Sequence, residues 1–404
     1  MPSTPTFVQF GAGNIGRSFI GQLFARGGFE VVFIDVVEDV VEALNARHRY
    51  CVEVRDRKPE SIWVENVRAV NGRDAEAAAE VLASCALCGT AVGPSALPHT
   101  QPTIAKALQL RLERGLPPLD IILCENLRDA AAIMREGLRR HLPGDFPLDE
   151  MVGLVETSIG KMVPIMPDEV RKADPLLVYA EAYNTLICDK RAFRNPIPDV
   201  PGLDPKDNMV AYVDRKSFVH NFGHALLAYF GYLEAPELVT TWEAVEHPVI
   251  GRLTEAGMWE SARALVAEYP GEFTEASQAA HIADLMLRFG NKALGDTIYR
   301  VGRDTRRKLS REDRVIGPLL LQAKHGAPGE VTALCAAAGM RFLANDEHGQ
   351  PLQADAELVA EFEAQGPEHI LRTVCELDPV ADAAAYAAVL AANERLESGR
   401  ALSP

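Results

Sequence analysis

Cysteine is scarce and unpatterned in this chain, which has 7 cysteines in 404 residues. The odd number and irregular spacing do not form a disulfide framework and are typical of reduced thiols in a cytoplasm, where we expect the protein. No apolar run is long enough for a membrane span and no signal-peptide pattern occurs, so neither is predicted. No set of His, Cys, Asp and Glu has the spacing of metal ligands, and we therefore expect no metal ion.

Positive charge is also in deficit, since 41 lysines and arginines against 57 aspartates and glutamates leave a net charge of −16. This balance argues against nucleic acids and anionic membranes as partners. A small anionic ligand is compatible with this net charge, because a local cluster of arginines can override the negative electrostatic field of the whole protein. The composition, 48% hydrophobic and 24% charged, is ordinary for a folded protein, and the length predicts two domains.

Strand and helix patterns alternate along the first half of the chain. The predicted strands are 6–10, 31–35, 84–90, 119–124 and 151–156, and the predicted helices are 15–27, 38–46, 75–83, 101–114 and 128–140. This alternation predicts an α/β fold with a Rossmann-type, mainly parallel sheet. Residues 50–56 and 62–70 are predicted to form a two-stranded insertion.

The first predicted strand leads into the sequence Gly-Ala-Gly-Asn-Ile-Gly-Arg at residues 11–17, a G-x-G-x-x-G motif that opens a helix. Such glycines allow a tight turn, the approach of a pyrophosphate and close helix packing. The next strand ends in a carboxylate that would bind the adenosine ribose and repel a 2′-phosphate, so NAD is favoured over NADP. The residues assigned to the cofactor here are Gly11, Gly13, Asn14, Ile15, Gly16, Arg17 and Asp35.

A proline-rich stretch at 195–205 cannot form a helix or a central strand, and we place the domain boundary at its start. Residues 1–195 are predicted to form the NAD-binding domain, and residues 196–404 an all-helical substrate and catalytic domain. The predicted helices of the second domain are 207–232, 236–244, 246–268, 273–289, 310–325, 329–340, 355–365 and 379–397.

The stretch 216–224, Lys-Ser-Phe-Val-His-Asn-Phe-Gly-His, carries a candidate catalytic set. On an α-helix Lys216, Asn221 and His224 lie at about 0°, 140° and 80°, so one face can present all three. The lysine can take a hydroxyl proton, the amide can donate to the oxygen, and the imidazole can orient either. The surrounding apolar residues predict burial, which would lower the pKa of the lysine. His220 lies on the same face.

Two loops follow strands of the predicted sheet, at 90–94 and 124–126. Ligands bind outside the carboxyl ends of such strands, so we expect the first loop at the nicotinamide ribose and Asn126 at the nicotinamide end. A plain turn and a helix cap are the alternatives. To the cofactor we further assign Thr90, Val92, Gly93 and Glu125.

A basic cluster occupies residues 300–314. It is either a solvated charged run or a binding site for hydroxyls or a phosphate, since arginine forks suit both kinds of oxygen. The candidate substrate residues are Arg303, Arg307 and Lys308, together with His220.

Over nearly its whole length the chain resembles the polyol-specific long-chain dehydrogenases. The resemblance rests on the signature Lys-x4-Asn-x2-His at 216–224 and on the segments 10–17, 43–50, 90–94, 124–126, 189–190 and 300–318. It implies an NAD-dependent, metal-independent dehydrogenase that interconverts a hexitol or hexitol phosphate and the matching ketose, as with mannitol 1-phosphate and fructose 6-phosphate. We expect a monomer or a weak homo-oligomer.

The resemblance also implies roles for individual residues. Lys216 is the general base, Asn126 and Asn221 stabilise the oxyanion, and His224 contacts the substrate or orients the lysine. The basic cluster lies near the substrate.

The chain departs from the family pattern at three places: Gly160-Lys161 replaces Asp-Arg, His220 replaces an apolar residue, and Thr305-Arg306 replaces Pro-Leu. These changes leave the substrate open. The alternatives are a dehydrogenase of a free hexitol such as altritol or mannitol, then a hexuronate reductase, then an NAD-binding regulator without activity.

Overall fold

The computed structural model describes residues 4–164 and 166–399, and the chain divides into two compact units, Met1–Met209 and Val210–Pro404. The strands of the first unit are β1 (Thr6–Phe10), β2 (Glu30–Asp35), β3 (Arg49–Val54), β4 (Glu60–Glu65), β5 (Val67–Asn71), β6 (Leu87–Thr90), β7 (Leu119–Leu123), β8 (Val152–Ser158), β9 (Val178–Ala180), β10 (Leu186–Asp189) and β11 (Leu203–Lys206). Its helices are α1 (Gln22–Arg26), α2 (Glu38–Arg47), α3 (Ala75–Ser84), α4 (Leu97–Glu113), α5 (Ala130–Arg139), α6 (Leu148–Met151) and α7 (Asp168–Ala173), with a π-helical segment at Gly16–Gly21 and a 3-10 turn at Lys190–Ala192.

The main sheet of the first unit has eight strands in the order β11-β10-β8-β7-β6-β1-β2-β5. Its neighbouring strands pair in parallel, except that β8 and β10 are antiparallel. The chain order reverses between β1 and β6, and open sheets of this type bind ligands at such a reversal, outside the carboxyl ends of the strands. The predicted Rossmann-type, mainly parallel sheet is confirmed.

Both faces of this sheet are covered by apolar side chains. Phe7 and Phe33 belong to one buried cluster, whereas Val8 and Val32, the residues next to them in β1 and β2, belong to another. Because successive side chains of a strand point to opposite faces, this alternation places a core on each side of the sheet.

The second strand predicted for the insertion, residues 62–70, is wrong. Two strands, β4 and β5, occupy these residues and are separated by Asn66, whose φ of 59° lies in the left-handed region that asparagine tolerates. The turn leads β5 into the main sheet beside β2, while β4 stays with β3 and β9 in a three-stranded sheet.

The chain passes from the first unit to the second after Met209, later than the predicted boundary at residue 195. The intervening residues belong to the first unit because β11 pairs with β10 from Leu186↔Leu203 to Asp189↔Lys206. Pro205 lies in this edge strand, where the missing N–H removes no bond of the ladder.

The second unit is built from helices. They are α8 (Met209–Arg215), α9 (Phe222–Glu234), α10 (Thr241–Glu246), α11 (Pro248–Glu268), α12 (Glu275–Phe289), α13 (Ile298–Gly302), α14 (Thr305–Lys308), α15 (Ile316–Lys324), α16 (Glu330–Gly339), α17 (Gln353–Gln365), α18 (Pro367–Thr373) and α19 (Ala383–Glu397), with a π-helical segment at Lys216–Asn221 and a 3-10 turn at Lys292–Leu294. Between residues 210 and 399 the only β-type pairings are isolated bridges, which confirms the predicted helical domain.

Three further observations concern the described part of the chain. None of its helices combines the length and the apolar character needed to cross a membrane. No three or more His, Cys, Asp and Glu side chains within residues 4–164 and 166–399 are grouped to hold a metal ion. The cysteines are free thiols.

A buried carboxylate fixes the turn that enters α14. Asp355 of α17 is 2% exposed and accepts hydrogen bonds from the backbone N–H of Asp304 at 3.0 Å and from the N–H and hydroxyl of Thr305 at 2.7 Å each. Asp304 has a φ of 69°, a left-handed conformation that this clamp stabilises. The position of α14, which carries part of the basic cluster, therefore depends on Asp355.

We expect Asp355→Ala to lower the free energy of unfolding by about 3 kcal/mol, because it leaves buried donors without an acceptor. For a unit of this size the melting temperature should fall by about 10 °C, which differential scanning calorimetry would measure. Glu357→Ala, at an exposed position of the same helix, is the control and should melt close to the wild type. Equal melting temperatures for both variants would contradict the clamp.

Candidate active site

The Gly-rich loop after β1 has the shape required by a dinucleotide. Gly11 has a φ of +90°, and a Cβ on Gly16 would lie 1.9 Å from the carbonyl oxygen of Gly11, so both positions exclude a side chain. Gly13 has no atom within 4 Å of its Cβ position, which leaves space for a phosphate next to the backbone. Because the first N–H groups of a helix have no partner within the helix, Asn14 and Ile15 can offer theirs to that phosphate. These residues fit NAD.

Asp35 ends β2 and is tied to the same loop. Its Oδ2 accepts the N–H of Ala12 at 2.6 Å, and its Oδ1 accepts the N–H of Val37 at 3.0 Å. Two backbone donors therefore fix the carboxylate in one orientation. Each oxygen keeps a second lone pair with which it can accept a ribose hydroxyl.

The side chain of Arg17 supports the Gly-rich loop through a hydrogen bond to its backbone. Its guanidinium is buried and donates from Nε to the carbonyl of Ala12 at 2.6 Å and from Nη1 to the carbonyl of Pro175 at 2.7 Å. Burial lowers the pKa of this group from its ordinary value. The side chain thus holds the Gly-rich loop in place and is engaged by backbone carbonyls, a structural use that the sequence did not reveal.

The loops after β6 and β7 are joined by a buried carboxylate. Glu125 accepts the hydroxyl of Thr90 at 2.7 Å and the N–H of Val92 at 3.1 Å. Burial raises the pKa of this carboxyl, while the two hydrogen bonds oppose the rise. Glu125 and Thr90 therefore position the loop. Beyond it, Gly93 has a φ of +87° and open space around it. Asn126 follows Glu125 at the carboxyl end of β7, with an exposed side chain.

In the second unit, the predicted catalytic set starts on a π-helical segment, Lys216–Asn221, inserted between α8 and α9. A π-helix joins residues five apart by a backbone hydrogen bond, so the directions of Lys216 and Asn221 differ by less than the angle of about 140° in an α-helix. His224 follows in the first turn of α9. The local distortion thus brings the lysine and the amide closer in direction than the sequence geometry predicted. Such single-turn π segments occur frequently at functional sites.

Burial controls the ionisation of this segment. Burial, helped by the positive charge of Arg314, lowers the pKa of Lys216 to about 8. Burial also lowers the pKa of His220 and of His224 well below the ordinary value, and nearby cations add to the effect. The rings of His224 and Phe289 lie 4.4 Å apart. Both imidazoles are therefore neutral at physiological pH, and the lysine is the group of this segment that titrates near neutrality.

The residues just before Lys216 are anchored by aromatic rings. The guanidinium of Arg215 lies 4.8 Å from the ring of Tyr212 and 5.2 Å from that of Phe273, and the hydroxyl of Tyr269 donates to Asp214. Tyr212 precedes Lys216 by four residues, so the chain contains a Tyr-x-x-x-Lys spacing just before the catalytic set. Here the tyrosine is 9% exposed and packs edge-on against Phe273.

The basic cluster lies on α13, on α14 and in the turn after it, and carboxylates of the same unit pair with much of it. Arg300 pairs with Asp296, Arg306 with Glu361, and Arg307 with both Asp304 and Asp313, the last at 3.0 Å from Nη1 to Oδ2. The exposed Arg303 instead lies over the ring of Tyr299, 5.4 Å from its centroid.

Lys308 differs from its arginine neighbours because it is buried, with its amine donating to the carbonyl of Val301 at 2.6 Å. Burial, followed by the charges of Arg314 and Arg307, lowers the pKa of Lys308 to about 7. Arg314, which is not among the predicted site residues, thus acts on both lysines. It is 9% exposed and pairs with Asp313. Its only signal in the sequence is its place within the family segment 300–318.

Comparison with known proteins agrees with this architecture. Residues 5–202 match the model of the mannitol dehydrogenase Rossmann domain, and residues 208–391 match that of the mannitol dehydrogenase C-terminal domain. Mannitol 2-dehydrogenase of Pseudomonas fluorescens, solved with NAD and D-mannitol, has a TM-score of 0.75 at 17% identity over 98% of this chain and 93% of that one. A substrate-free D-sorbitol dehydrogenase has a TM-score of 0.80 at 15% identity over 99% and 95%.

A Rossmann-type unit that fits NAD, followed by a helical unit of this kind, is the architecture of an NAD-dependent polyol dehydrogenase. The chain belongs to the mannitol dehydrogenase family, whose two models together match most of it. The predicted family, cofactor and enzyme class are confirmed. Of the residues assigned to catalysis, Asn126 lies in the first unit, whereas Lys216, Asn221 and His224 lie together in the second.

The Gly-rich loop gives a test that separates folding from cofactor binding. Gly13→Ala should fold with wild-type stability but bind NADH at least tenfold more weakly, because its methyl group enters the space for the pyrophosphate. Gly16→Ala should lower the melting temperature as well, because its Cβ meets the Gly11 carbonyl. Thermal unfolding without cofactor and titration of NADH fluorescence measure the two effects. Unchanged NADH affinity in Gly13→Ala would contradict this placement of the cofactor.

Proposed function

We propose that this protein is an NAD-dependent, metal-independent dehydrogenase of a free hexitol, with Lys216 as its general base. The proposal is supported by the lowered pKa of Lys216, about 8, which makes a neutral amine available near physiological pH. Bound NAD supplies the acceptor for the hydride that leaves the secondary alcohol carbon. The protein residues handle the proton and the charge on oxygen.

The neutral amine of Lys216 takes the hydroxyl proton of the substrate, and its ammonium form returns a proton during ketose reduction. Asn221, which shares the π-helical segment with Lys216, donates its amide N–H to the oxygen on which negative charge develops. Asn126 is the second donor of this proposal. His224, neutral and packed on Phe289, offers one hydrogen bond that orients either the lysine or the substrate.

The pairing of the arginines favours a free hexitol over a hexitol phosphate. Arg300, Arg306 and Arg307 already have carboxylate partners in their own unit, which offset the positive charge that would attract a phosphate. Lys308, with a pKa of about 7, carries only part of a charge near neutrality. A neutral polyol needs hydroxyl partners rather than net charge, and the buried amine of Lys308 can supply one.

A mannitol-1-phosphate 5-dehydrogenase, which the sequence resembles, is the alternative. In that case Arg303, which has no carboxylate partner among the described residues, is the candidate phosphate ligand. We also propose a cytoplasmic location, which the free thiols support, and a monomer or weak homo-oligomer.

Lys216→Ala should reduce kcat by about 10²–10⁴-fold, the range for loss of a general base, while NADH affinity stays within about twofold. Steady-state kinetics with a hexitol and fluorescence titration of NADH measure the two quantities. Lys206→Ala, a lysine of strand β11, is the control and should retain activity. Turnover of Lys216→Ala within tenfold of wild type would show that the base lies elsewhere.

The pH profile should report the same amine. For polyol oxidation, kcat/KM should fall below about pH 8, because the protonated lysine cannot accept a proton. Arg314→Gln removes a cation that lowers the pKa of Lys216, so the limb should move to higher pH. Arg311→Gln is the matched control, since Arg311 pairs with Asp382 and does not act on the lysine. A limb that stays in place in Arg314→Gln would contradict the assignment.

A substrate panel distinguishes the candidate functions. We expect one of fructose, tagatose and psicose to be reduced with a higher kcat/KM than fructose 6-phosphate, and Arg303→Ala to leave that value within threefold. The phosphate-specific alternative holds if the phosphate ester is preferred and Arg303→Ala raises the KM for that ester by about tenfold or more. An increase of this size corresponds to the loss of one charge-assisted hydrogen bond. Preference for hexuronates would indicate a hexuronate reductase. If no sugar is turned over, the protein is an NAD-binding protein without activity.

A further inference from the structure

The segment after β5 lies against the end of β2, where Asp35 is found. The N–H of Gly72 donates to the carbonyl of Asp35 at 2.8 Å. A Cβ on Gly72 would lie 3.3 Å from Cγ1 of Val36, so the two segments are in close contact. The backbone of Arg73, the next residue, therefore lies close to Asp35, whose carboxylate is assigned to the adenosine ribose.

Arg73 has a fixed backbone and a loosely held head. Its N–H donates to Oδ1 of Asn71 at 2.9 Å. Its guanidinium Nη1 lies 2.9 Å from Oε1 of Glu38, in the first turn of α2, and the two side chains are 67% and 62% exposed. Such exposed ion pairs contribute little to stability. The Glu38 carboxylate engages the guanidinium, which becomes available to another anion when that carboxylate is removed.

The charges around Asp35 decide whether such a partner can enter. Asp35, Glu38 and Asp39 place three carboxylates at the junction of β2 and α2. Arg73 contacts one of them, Glu38, from the segment after β5. A guanidinium beside this position is the usual means by which dinucleotide folds bind the 2′-phosphate of NADP. This protein has such a guanidinium in Arg73, but it is paired with the carboxylate of Glu38.

We propose that Glu38 and Arg73 set the choice between NAD and NADP together with Asp35. Asp35 repels the 2′-phosphate, and Glu38 withholds the guanidinium that would bind it through two parallel hydrogen bonds. Arg73 is thus a latent ligand for a phosphate monoester at the adenosine ribose. The inference rests on the dinucleotide site and is independent of which polyol is the substrate.

Three nested variants test the proposal by binding rather than turnover. They are Asp35→Ser, Asp35→Ser with Glu38→Gln, and the same pair with Arg73→Ala. Dissociation constants for NADPH and NADH are measured by titration of dihydronicotinamide fluorescence. Adding Glu38→Gln should tighten NADPH binding by about tenfold or more, the effect of one charge-assisted hydrogen bond, and adding Arg73→Ala should abolish that gain. The NADH constants should agree within about twofold across the three.

Asp39→Asn, combined with Asp35→Ser, is the matched control. It removes the same charge from the same helical turn, but Asp39 does not pair with Arg73. We expect a smaller gain that Arg73→Ala does not reverse. If Asp39→Asn and Glu38→Gln have equal effects, or if Arg73→Ala leaves NADPH affinity within twofold, the preference comes from overall charge and the proposal is wrong.

Variants that keep Asp35 provide a second measure, which does not depend on how well the Asp35→Ser protein binds NADPH. Glu38→Gln alone should tighten NADPH binding by a few-fold, and Glu38→Gln with Arg73→Ala should return it to the wild-type value. Wild-type NADPH affinity in Glu38→Gln, or a gain that Arg73→Ala leaves in place, would contradict a role for Glu38 in withholding the guanidinium.

Discussion

The proposed chemistry depends on keeping the amine of Lys216 away from water. Burial disfavours the charged form, and the cation of Arg314 disfavours it further, so the pKa falls from 10.5 to about 8. The same loss of solvent removes charge from His220 and His224. One physical effect thus produces an amine with a pKa of about 8 on the same segment as imidazoles whose pKa values fall well below the ordinary value. A solvated lysine at this position would remain protonated and could not accept the proton of an alcohol.

Backbone geometry and side-chain anchors support this site in different ways. In the first unit, the groups that would meet the cofactor are mainly backbone N–H groups and small residues, while charged side chains hold them in place. Arg17 binds the carbonyl of Ala12, and Glu125 binds the loop after β6. In the second unit, the rings of Tyr212 and Phe273 enclose Arg215 and so fix the start of the π-helical segment.

Much of this was predictable from the sequence because it depends on local patterns. The Gly-rich loop, Asp35 and the alternation of strands and helices are encoded by residues close together in the chain, and the structure has them where the patterns indicate. The domain boundary and the strand pattern at 62–70 depend on long-range pairing. Asn66 redirects the chain into the main sheet, and β11 pairs with β10 beyond the proline-rich stretch. Neither pairing leaves a periodic signal.

The site itself shows the same division. The residue types of the catalytic set could be read from the sequence, but the angle between Lys216 and Asn221 could not, since a π-helical segment has no pattern of its own. The cations at 300–308 are compatible in sequence with a solvated charged run and with a site for hydroxyls or a phosphate. Arg306 pairs with Glu361 of a later helix and Arg307 with Asp313 of a later turn, so the carboxylate partners of these arginines appear only in three dimensions.

The protonation of Lys216 can be measured without any substrate. In a protein whose lysines carry ¹³C at Cε, the Lys216 signal is assigned by its loss in Lys216→Met, and its chemical shift is followed by NMR as a function of pH. A midpoint near pH 8, separate from the exposed lysines that titrate near 10.4, is the expected result. A midpoint with the exposed lysines would contradict a desolvated base at this position.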